Sequence, residues 1–198
     1  MINKESLTNF FILLNDKAKN NYDSFNSIDG KLGDGDLGIT ITKGLEEICV
    51  NKDLFEEDIS KIFLLCSKLF TKVSSSSFGT LTAISFLVLA KEYKNKKEIK
   101  NIEILSGIEK IIEGVSNRGK SKVGDKTILD SFNEILIAIR SNTEEELGVL
   151  AYKASERALN KFKGKECKIG RARMFAEKSK ELDDPGMYAI SKLCEIFI

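Results

Sequence analysis

The densest group of side chains that could do chemistry lies in residues 28–38, IDGKLGDGDLG. Asp34 and Asp36 flank a glycine, and Asp29 stands five residues before Asp34. Flexible glycines let three carboxylates converge, and converging carboxylates repel one another unless a hard cation lies between them. Magnesium takes oxygen ligands and keeps open positions for phosphate oxygens. The spacing therefore predicts a magnesium site for a phosphate ligand; the alternative is an acidic turn without metal.

Two helix starts offer further groups for a phosphate. Gly38 is followed by ITITKGLEEI, which predicts a helix whose first N–H groups and dipole attract anions. Thr40 either adds a hydroxyl there or only caps the helix. Ser76 and Ser77 belong to the stretch SSSSFGT at 74–80, whose hydroxyls and amides either cradle a phosphate or form a simple turn.

Arg171 follows Gly170, and its planar guanidinium fits phosphate oxygens. The alternative is an ordinary surface ion pair. No Gly-x-x-x-x-Gly-Lys-Ser/Thr motif is present, which excludes a P-loop enzyme.

The elements that position these groups are predicted to be helices throughout. The chain has one proline, Pro185, and its apolar residues recur at helical spacing. A capping box is predicted from Thr143 to Glu146, and the apolar stretch 81–90 is expected to be a central buried helix. The predicted fold is an all-α bundle or barrel of eight antiparallel helices, over the ranges 7–18, 41–48, 55–71, 80–94, 102–117, 126–140, 144–162 and 185–197.

Composition narrows the function. A chain of 198 residues predicts a single domain, and 31 basic against 30 acidic residues disfavour nucleic acid as a partner. The absence of histidine excludes a Cys/His zinc site, a Ser-His or Cys-His catalytic pair and a phosphohistidine within this chain. Because no signal-peptide or membrane-spanning stretch is evident, we expect a cytoplasmic protein without a membrane partner.

Taken together, these motifs resemble one family, the L subunit of dihydroxyacetone kinase (the DhaL or Dak2 domain). The matching order is an Asp-x-x-x-x-Asp-x-Asp loop, a Gly-Thr helix start, Arg-Gly-Lys, Gly-Asp-Lys-Thr, Gly-Arg-Ala and Asp-Pro-Gly. In this chain the pieces are residues 28–38, 78–80, 118–120, 124–127, 170–172 and 184–186.

The resemblance implies a barrel of eight antiparallel helices with the nucleotide site at one end. It implies two Mg²⁺ ions, held by the three aspartates against the phosphates of ADP or ATP. With Arg171 it brings a set of residues to the nucleotide: Leu37, Gly38, Ile39, Thr40, Ser76, Ser77, Gly79, Thr80, Gly119, Thr127, Ile128, Asp184, Pro185 and Gly186.

The family also implies partners. Its ketose substrate is bonded covalently to a histidine of a separate K subunit, and the phosphoryl group passes to dihydroxyacetone or a related short ketose across the interface. A chain without histidine agrees with that division of labour. Some relatives keep ADP as a fixed cofactor, which an M subunit of the phosphoenolpyruvate phosphotransferase system rephosphorylates. Others use ATP directly. A free-standing domain favours the first arrangement.

Three departures from the family pattern leave alternatives open. Leu37 replaces the usual His, Thr40 replaces Asn, and residues 74–77 replace a longer glycine-rich stretch. Fewer glycines mean fewer amides that can approach a phosphate closely. Beside the kinase subunit, the sequence therefore admits a non-catalytic nucleotide-binding regulator and a plain helical adaptor with an acidic loop.

Overall fold

The computed structural model describes residues 1–142 and 144–198, and over these residues the chain is mostly helical. This confirms the all-α class. The helices are α1 (Lys4–Asn20), α2 (Tyr22–Leu32), α3 (Leu37–Val50), α4 (Ile59–Val73), α5 (Ser77–Glu92), α6 (Asn101–Gly119), α7 (Ile128–Ser141), α8 (Leu147–Phe162), α9 (Ala176–Glu181) and α10 (Pro185–Cys194). Strands β1 (Ile2–Asn3) and β2 (Glu98–Ile99) pair antiparallel.

Two of these helices are additions to the eight predicted segments. Helix α2 occupies part of the stretch taken for a loop, because burial of Phe25 and Leu32 on one face outweighs the poor helix propensity of Gly30. Helix α9 is a single short piece between residues 176 and 181. The capping box predicted at Thr143 lies outside the described residues.

The contacts divide the chain into two compact units, and the expectation of one domain over residues 1–198 stays a prediction. The first unit comprises Met1–Asn20 and Ile39–Gly119, and the second comprises Asn21–Gly38 and Lys120–Ile198. The chain therefore passes from one unit to the other within the first turn of α3.

Aromatic packing builds the first unit. The ring of Phe86 on α5 stacks on Phe63 and also contacts Phe70, both from α4. The Ser67 hydroxyl donates to the Ala83 carbonyl at 2.8 Å, which brings the two helix backbones close together. Helix α6 packs on the other side of α5. These contacts fix α5, whose start carries the serine loop (residues 74–77).

Helix α5 is shielded from solvent on most sides, as its apolar sequence predicts. Gly79, Ala83 and Ala90 are buried, and the other residues between 79 and 90 are of intermediate exposure. None of these twelve residues is fully exposed. The buried small residues include Ala83, whose carbonyl accepts the Ser67 hydroxyl of α4.

Helices α7, α8 and α10 form the core of the second unit. Met187 of α10 packs against Ala158, Leu159 and Phe162 of α8. A smaller cluster joins Leu32, at the end of α2, to Cys167 and Ala172. The end of α2 is thus anchored against the chain that surrounds Arg171.

Over the described residues, no helix combines the length and apolar composition needed to cross a membrane.

Close packing of Gly44 against Phe70 gives a test of the first unit. A Cβ at position 44 would lie 2.2 Å from Cζ of the Phe70 ring. Alanine improves helix propensity by roughly 0.5–1 kcal/mol, but overpacking costs about 1–3 kcal/mol. We therefore expect Gly44→Ala to lower the free energy of unfolding by about 1–2 kcal/mol in denaturant titrations. The exposed neighbour Lys43→Ala should change it by less than about 0.5 kcal/mol; stabilisation by Gly44→Ala would contradict this packing.

Candidate functional site

A four-residue turn between α2 and α3 carries two of the three predicted metal ligands. Asp29 lies in the last turn of α2, and its carbonyl accepts the Gly33 N–H at 2.5 Å. Its carboxylate Oδ2 accepts the Asp36 N–H at 3.0 Å. Gly35 has a φ of 75°, a left-handed conformation that favours glycine. The side chain of Asp29 therefore organises the turn that presents Asp34 and Asp36.

The three carboxylates converge as the sequence predicted. One oxygen from each of Asp29, Asp34 and Asp36 lies within 4.8 Å of the other two. We call these residues the aspartate cluster. Burial, supported by the charges of Asp34 and Asp36, raises the pKa of Asp29, and the backbone N–H groups of Asp36 and Gly35 partly offset the rise. A set of carboxylate oxygens at this separation suits a hard cation such as Mg²⁺.

Arg171 supplies the positive charge nearest to this cluster. It opens a short 3-10 helix, Arg171–Phe175, directly after Gly170. Its guanidinium Nη1 forms an ion pair with Asp34 Oδ2. The structure thus shows the ion pair that was expected from the sequence as the alternative, and the partner of Arg171 is itself a member of the aspartate cluster. The role of Arg171 toward a nucleotide stays a prediction. Both side chains remain about half-exposed, so a ligand can reach them.

The first turn of α3 is less open to an anion than predicted. The N–H of Gly38 donates to Asn26 Oδ1 at 2.7 Å, so the chain itself uses this amide. Leu37 is buried, and its side chain adds to the core rather than to a polar site. The sequence gives no signal for this role of Asn26, because Asn26 lies on α2, twelve residues before the Gly38 N–H that it accepts.

The serine loop and Thr40 form a closed network of hydroxyl groups. The Thr40 hydroxyl donates to Ser76 Oγ at 2.9 Å, and Ser74 Oγ lies 3.1 Å from Ser76 Oγ. Ser76 also caps α5 by accepting the Gly79 N–H at 3.0 Å. A Cβ at Gly79 would lie 2.2 Å from Ser74 Oγ, so glycine is needed there. Thr40 thus bonds to the serine loop instead of capping its own helix.

The remaining predicted contacts lie at helix ends. Ser77 and Thr80 belong to the first turn of α5, and Gly119 is the last residue of α6. Thr127 caps α7 in a capping box: its hydroxyl oxygen accepts the backbone N–H of Asp130, and the Asp130 carboxylate accepts the backbone N–H of Thr127. Ile128, the next residue, is buried.

Asp184 caps α10 by accepting the Met187 N–H at 2.9 Å, and Pro185 and Gly186 open that helix. Burial raises the pKa of Asp184 to about 7, with the Met187 N–H and the charge of Lys126 acting in the opposite direction. Within the second unit, an ion pair brings Arg171 to the aspartate cluster, and the charge of Lys126 acts on Asp184.

An all-helical fold that places an arginine beside three converging carboxylates is consistent with the class of proteins that bind phosphate ligands through a metal ion. The model of the DAK2 domain family matches residues 31–198, and the chain belongs to this family.

Curated relatives cover most of the chain. It is 29% identical over 182 residues to a Listeria innocua protein described as the ADP-binding subunit DhaL of a PEP-dependent dihydroxyacetone kinase, a match that covers 90% of this chain and 87% of the relative. It is 26% identical over 186 residues to the ADP-binding subunit DhaL of a PTS-dependent dihydroxyacetone kinase from Lactococcus lactis, covering 93% and 91%.

A solved structure shares the fold. The dihydroxyacetone kinase from C. freundii, in complex with AMP-PNP and Mg²⁺, superposes with a TM-score of 0.73 at 18% identity. The match covers 96% of this chain but only 32% of that kinase, so this chain spans about a third of the solved protein.

The pKa of Asp184 predicts a pH-dependent stability. The carboxyl ionises near pH 3.8 in the unfolded chain and near 7 in the folded one. Between these values the folded state holds a proton that the unfolded state has released, so the contribution of Asp184 to the free energy of unfolding falls as the pH rises. It levels off above about pH 7.

Asp184→Asn removes this titration. Denaturant titrations from pH 4 to pH 8 should show the stability of the parent chain, relative to Asp184→Asn, declining up to about pH 7 and then remaining constant. Parallel pH profiles for the two proteins would contradict the raised pKa.

Proposed function

We propose that this chain is the nucleotide-binding subunit of a dihydroxyacetone kinase and acts as a single functional domain over residues 1–198. It binds ADP or ATP with Mg²⁺ and passes a phosphoryl group to dihydroxyacetone, or to a related short ketose, on a partner K subunit. The observation that carries this proposal is the aspartate cluster with Arg171 paired to it. The names of the relatives, both of them ADP-binding subunits of similar length, support it.

Each residue of the cluster has a proposed role. Asp29, Asp34 and Asp36 would hold the metal, with two Mg²⁺ ions expected. Mg²⁺ held there would offset the negative charge of the phosphate oxygens. Arg171 lies beside the same carboxylates, and its five N–H donors allow it to exchange Asp34 for a phosphate oxygen. Its ion pair with Asp34 keeps the guanidinium at the site before a nucleotide arrives.

The proposed partners supply a group that residues 1–198 do not contain. These residues include no histidine, and the proposal therefore assigns to other polypeptide segments the histidine that anchors a ketose and the histidine that carries a phosphoryl group. We propose a K subunit for the first task and a phosphotransferase-system M subunit for the second, with ADP kept as a cofactor. The remaining predicted nucleotide contacts, from Leu37 to Gly186, are part of the same proposal.

A second candidate is a nucleotide-binding regulator that transfers no phosphoryl group. The serine-loop network favours it, because the hydroxyls of Thr40, Ser74 and Ser76 are already bonded to one another. Breaking these bonds to receive a phosphate would offset part of the binding free energy. Leu37 likewise offers no polar group where the family has His.

Calorimetric titration of the purified chain with ADP and with ATP, each with and without Mg²⁺, tests nucleotide binding. Binding that requires Mg²⁺ supports both candidates, and no binding under any condition refutes both. Transfer of radiolabelled phosphate to dihydroxyacetone in the presence of a K subunit then separates them. Binding without transfer would favour the regulator.

Neutralising one ligand of the cluster should remove the site without harming the fold. We expect Asp34→Asn and Asp36→Asn each to abolish Mg²⁺-dependent nucleotide binding, since magnesium selects charged oxygen ligands. Thermal unfolding midpoints should stay equal or rise, because each change relieves repulsion between carboxylates. Asp23→Asn, at an exposed position of α2, is the matched control and should bind normally. Unchanged affinity in the cluster variants would refute the metal site.

Arg171 should contribute directly to affinity. Arg171→Ala is expected to weaken binding of the Mg²⁺–nucleotide complex by about 1.5–3 kcal/mol, the range for a hydrogen bond to a charged group. Arg173→Ala changes an exposed arginine two residues further along the same 3-10 helix and should leave affinity unchanged. An effect of Arg171→Ala below about 0.5 kcal/mol would reduce Arg171 to a surface ion pair.

A further inference from the structure

Lys126 is a buried cation in the second unit, with only 2% of its surface exposed. It stands just before α7 with a φ of 61°, a conformation uncommon for a residue other than glycine. Its Nζ donates to the carbonyls of Lys165 at 2.9 Å, Ser179 at 2.7 Å and Leu182 at 2.7 Å. An ammonium group has three donors, and all three are used.

The three acceptors lie near the two ends of one stretch, residues 164–184, which we call the arginine segment. Lys165 is at its start, whereas Ser179 and Leu182 lie near its end, around the C-terminus of α9. Carbonyls at a helix C-terminus attract a cation. Two further bonds join the same ends: Gly164 N–H donates to the Lys180 carbonyl at 3.1 Å, and Cys167 N–H donates to Ser179 Oγ at 3.0 Å. The ammonium therefore closes the arginine segment into a loop.

The loop that carries Lys126 is itself firmly held. The Asp130 carboxylate accepts the N–H groups of Gly124 at 2.6 Å and Thr127 at 2.8 Å. Asp125 accepts the Lys122 N–H at 2.9 Å through its carboxylate, and the Lys168 N–H at 3.0 Å through its carbonyl. Lys126 thus extends from a loop fixed to α7.

Arg171 lies in the middle of the arginine segment, and its own side chain is 56% exposed. Within its 3-10 helix the buried residue is Ala172, which packs with Leu32 and Cys167. The 3-10 helix of five residues and the six-residue α9 are too short to be stable in isolation. The position of the guanidinium beside Asp34 therefore depends on this small cluster and on what closes the segment.

We propose that Lys126 is a positioning residue, whose ammonium closes the arginine segment and thereby holds Arg171 against the aspartate cluster. The nucleotide-binding part of this inference rests on the proposed function. The part that concerns the order of the segment does not, so the two can fail separately.

Lys126→Met tests the closure, because it removes the ammonium and keeps a flexible side chain. In hydrogen-exchange mass spectrometry of the full chain without nucleotide, amides of residues 164–184 should exchange at least about tenfold faster, while α7 and α8 keep their protection. Lys168→Met is the matched control, since the Lys168 side chain is exposed and only its backbone contacts the Lys126 loop. Unchanged exchange in Lys126→Met would overturn the proposal.

A double-mutant cycle tests whether Lys126 acts through Arg171. We expect Lys126→Met to weaken Mg²⁺–ADP binding about as much as Arg171→Ala does, by roughly tenfold to a hundredfold, and Arg171→Ala to have less than about a twofold effect in that background. Equal effects of Arg171→Ala in both backgrounds would overturn the proposed coupling, since general destabilisation predicts additivity. Absence of binding by the parent chain would refute the proposed function and leave the exchange experiment decisive for Lys126.

Lys126→Gln provides a second variant if Lys126→Met does not fold. It removes the ammonium charge and leaves two N–H donors on a shorter side chain in place of the three that Lys126 uses. The same amides of residues 164–184 should exchange faster than in the parent chain. Exchange identical to that of the parent chain would overturn the proposal.

Discussion

Mutual repulsion of three carboxylates is the constraint on which the second unit depends. One carboxylate oxygen from each of Asp29, Asp34 and Asp36 lies within 4.8 Å of the other two, an arrangement that opposes folding unless the charge is compensated. Within the turn, the Asp36 N–H donates to the Asp29 carboxylate and offsets part of its negative charge. Arg171, which is distant in sequence, offsets more of the negative charge through its ion pair with Asp34. An unfavourable arrangement that the fold supports from two sides is the kind of local strain that marks a functional site.

Much of the site could be predicted from sequence because its chemistry is local. Asp34 and Asp36 flank a single residue, so one tight turn suffices to bring them together. Asp29 lies in the last helical turn just before them, so it is also close in the chain. The helical class was equally accessible, since apolar periodicity extends over most of the chain with only one proline. The family motifs then linked Arg171 to the aspartates, which spacing alone could not have done.

What could not be predicted depends on distant backbone atoms. The acceptors of Lys126 are carbonyl groups 39, 53 and 56 residues away, and a carbonyl has no signature in a sequence. The hydrogen bond from the Gly38 N–H to Asn26 Oδ1 could not be predicted for the same reason, since nearly every residue has a backbone N–H. The four serines predicted hydroxyl groups near a helix start. They did not predict that the Thr40 hydroxyl would donate a hydrogen bond to Ser76. Side-chain pairs that tertiary packing creates are outside the reach of local patterns.

The division of the chain into two interleaved units has a consequence for its synthesis. Residues 21–38, which include the whole aspartate cluster, are synthesised before residues 39–119 of the other unit, and every other residue of their own unit follows position 119. Helix α2 packs on α10, where Phe25 meets the ring of Tyr188 edge-on at 6.2 Å. The nascent chain therefore carries the aspartate cluster without its structural partners until α10 emerges. Long-range closure of this kind makes the site one of the last parts of the molecule to assemble.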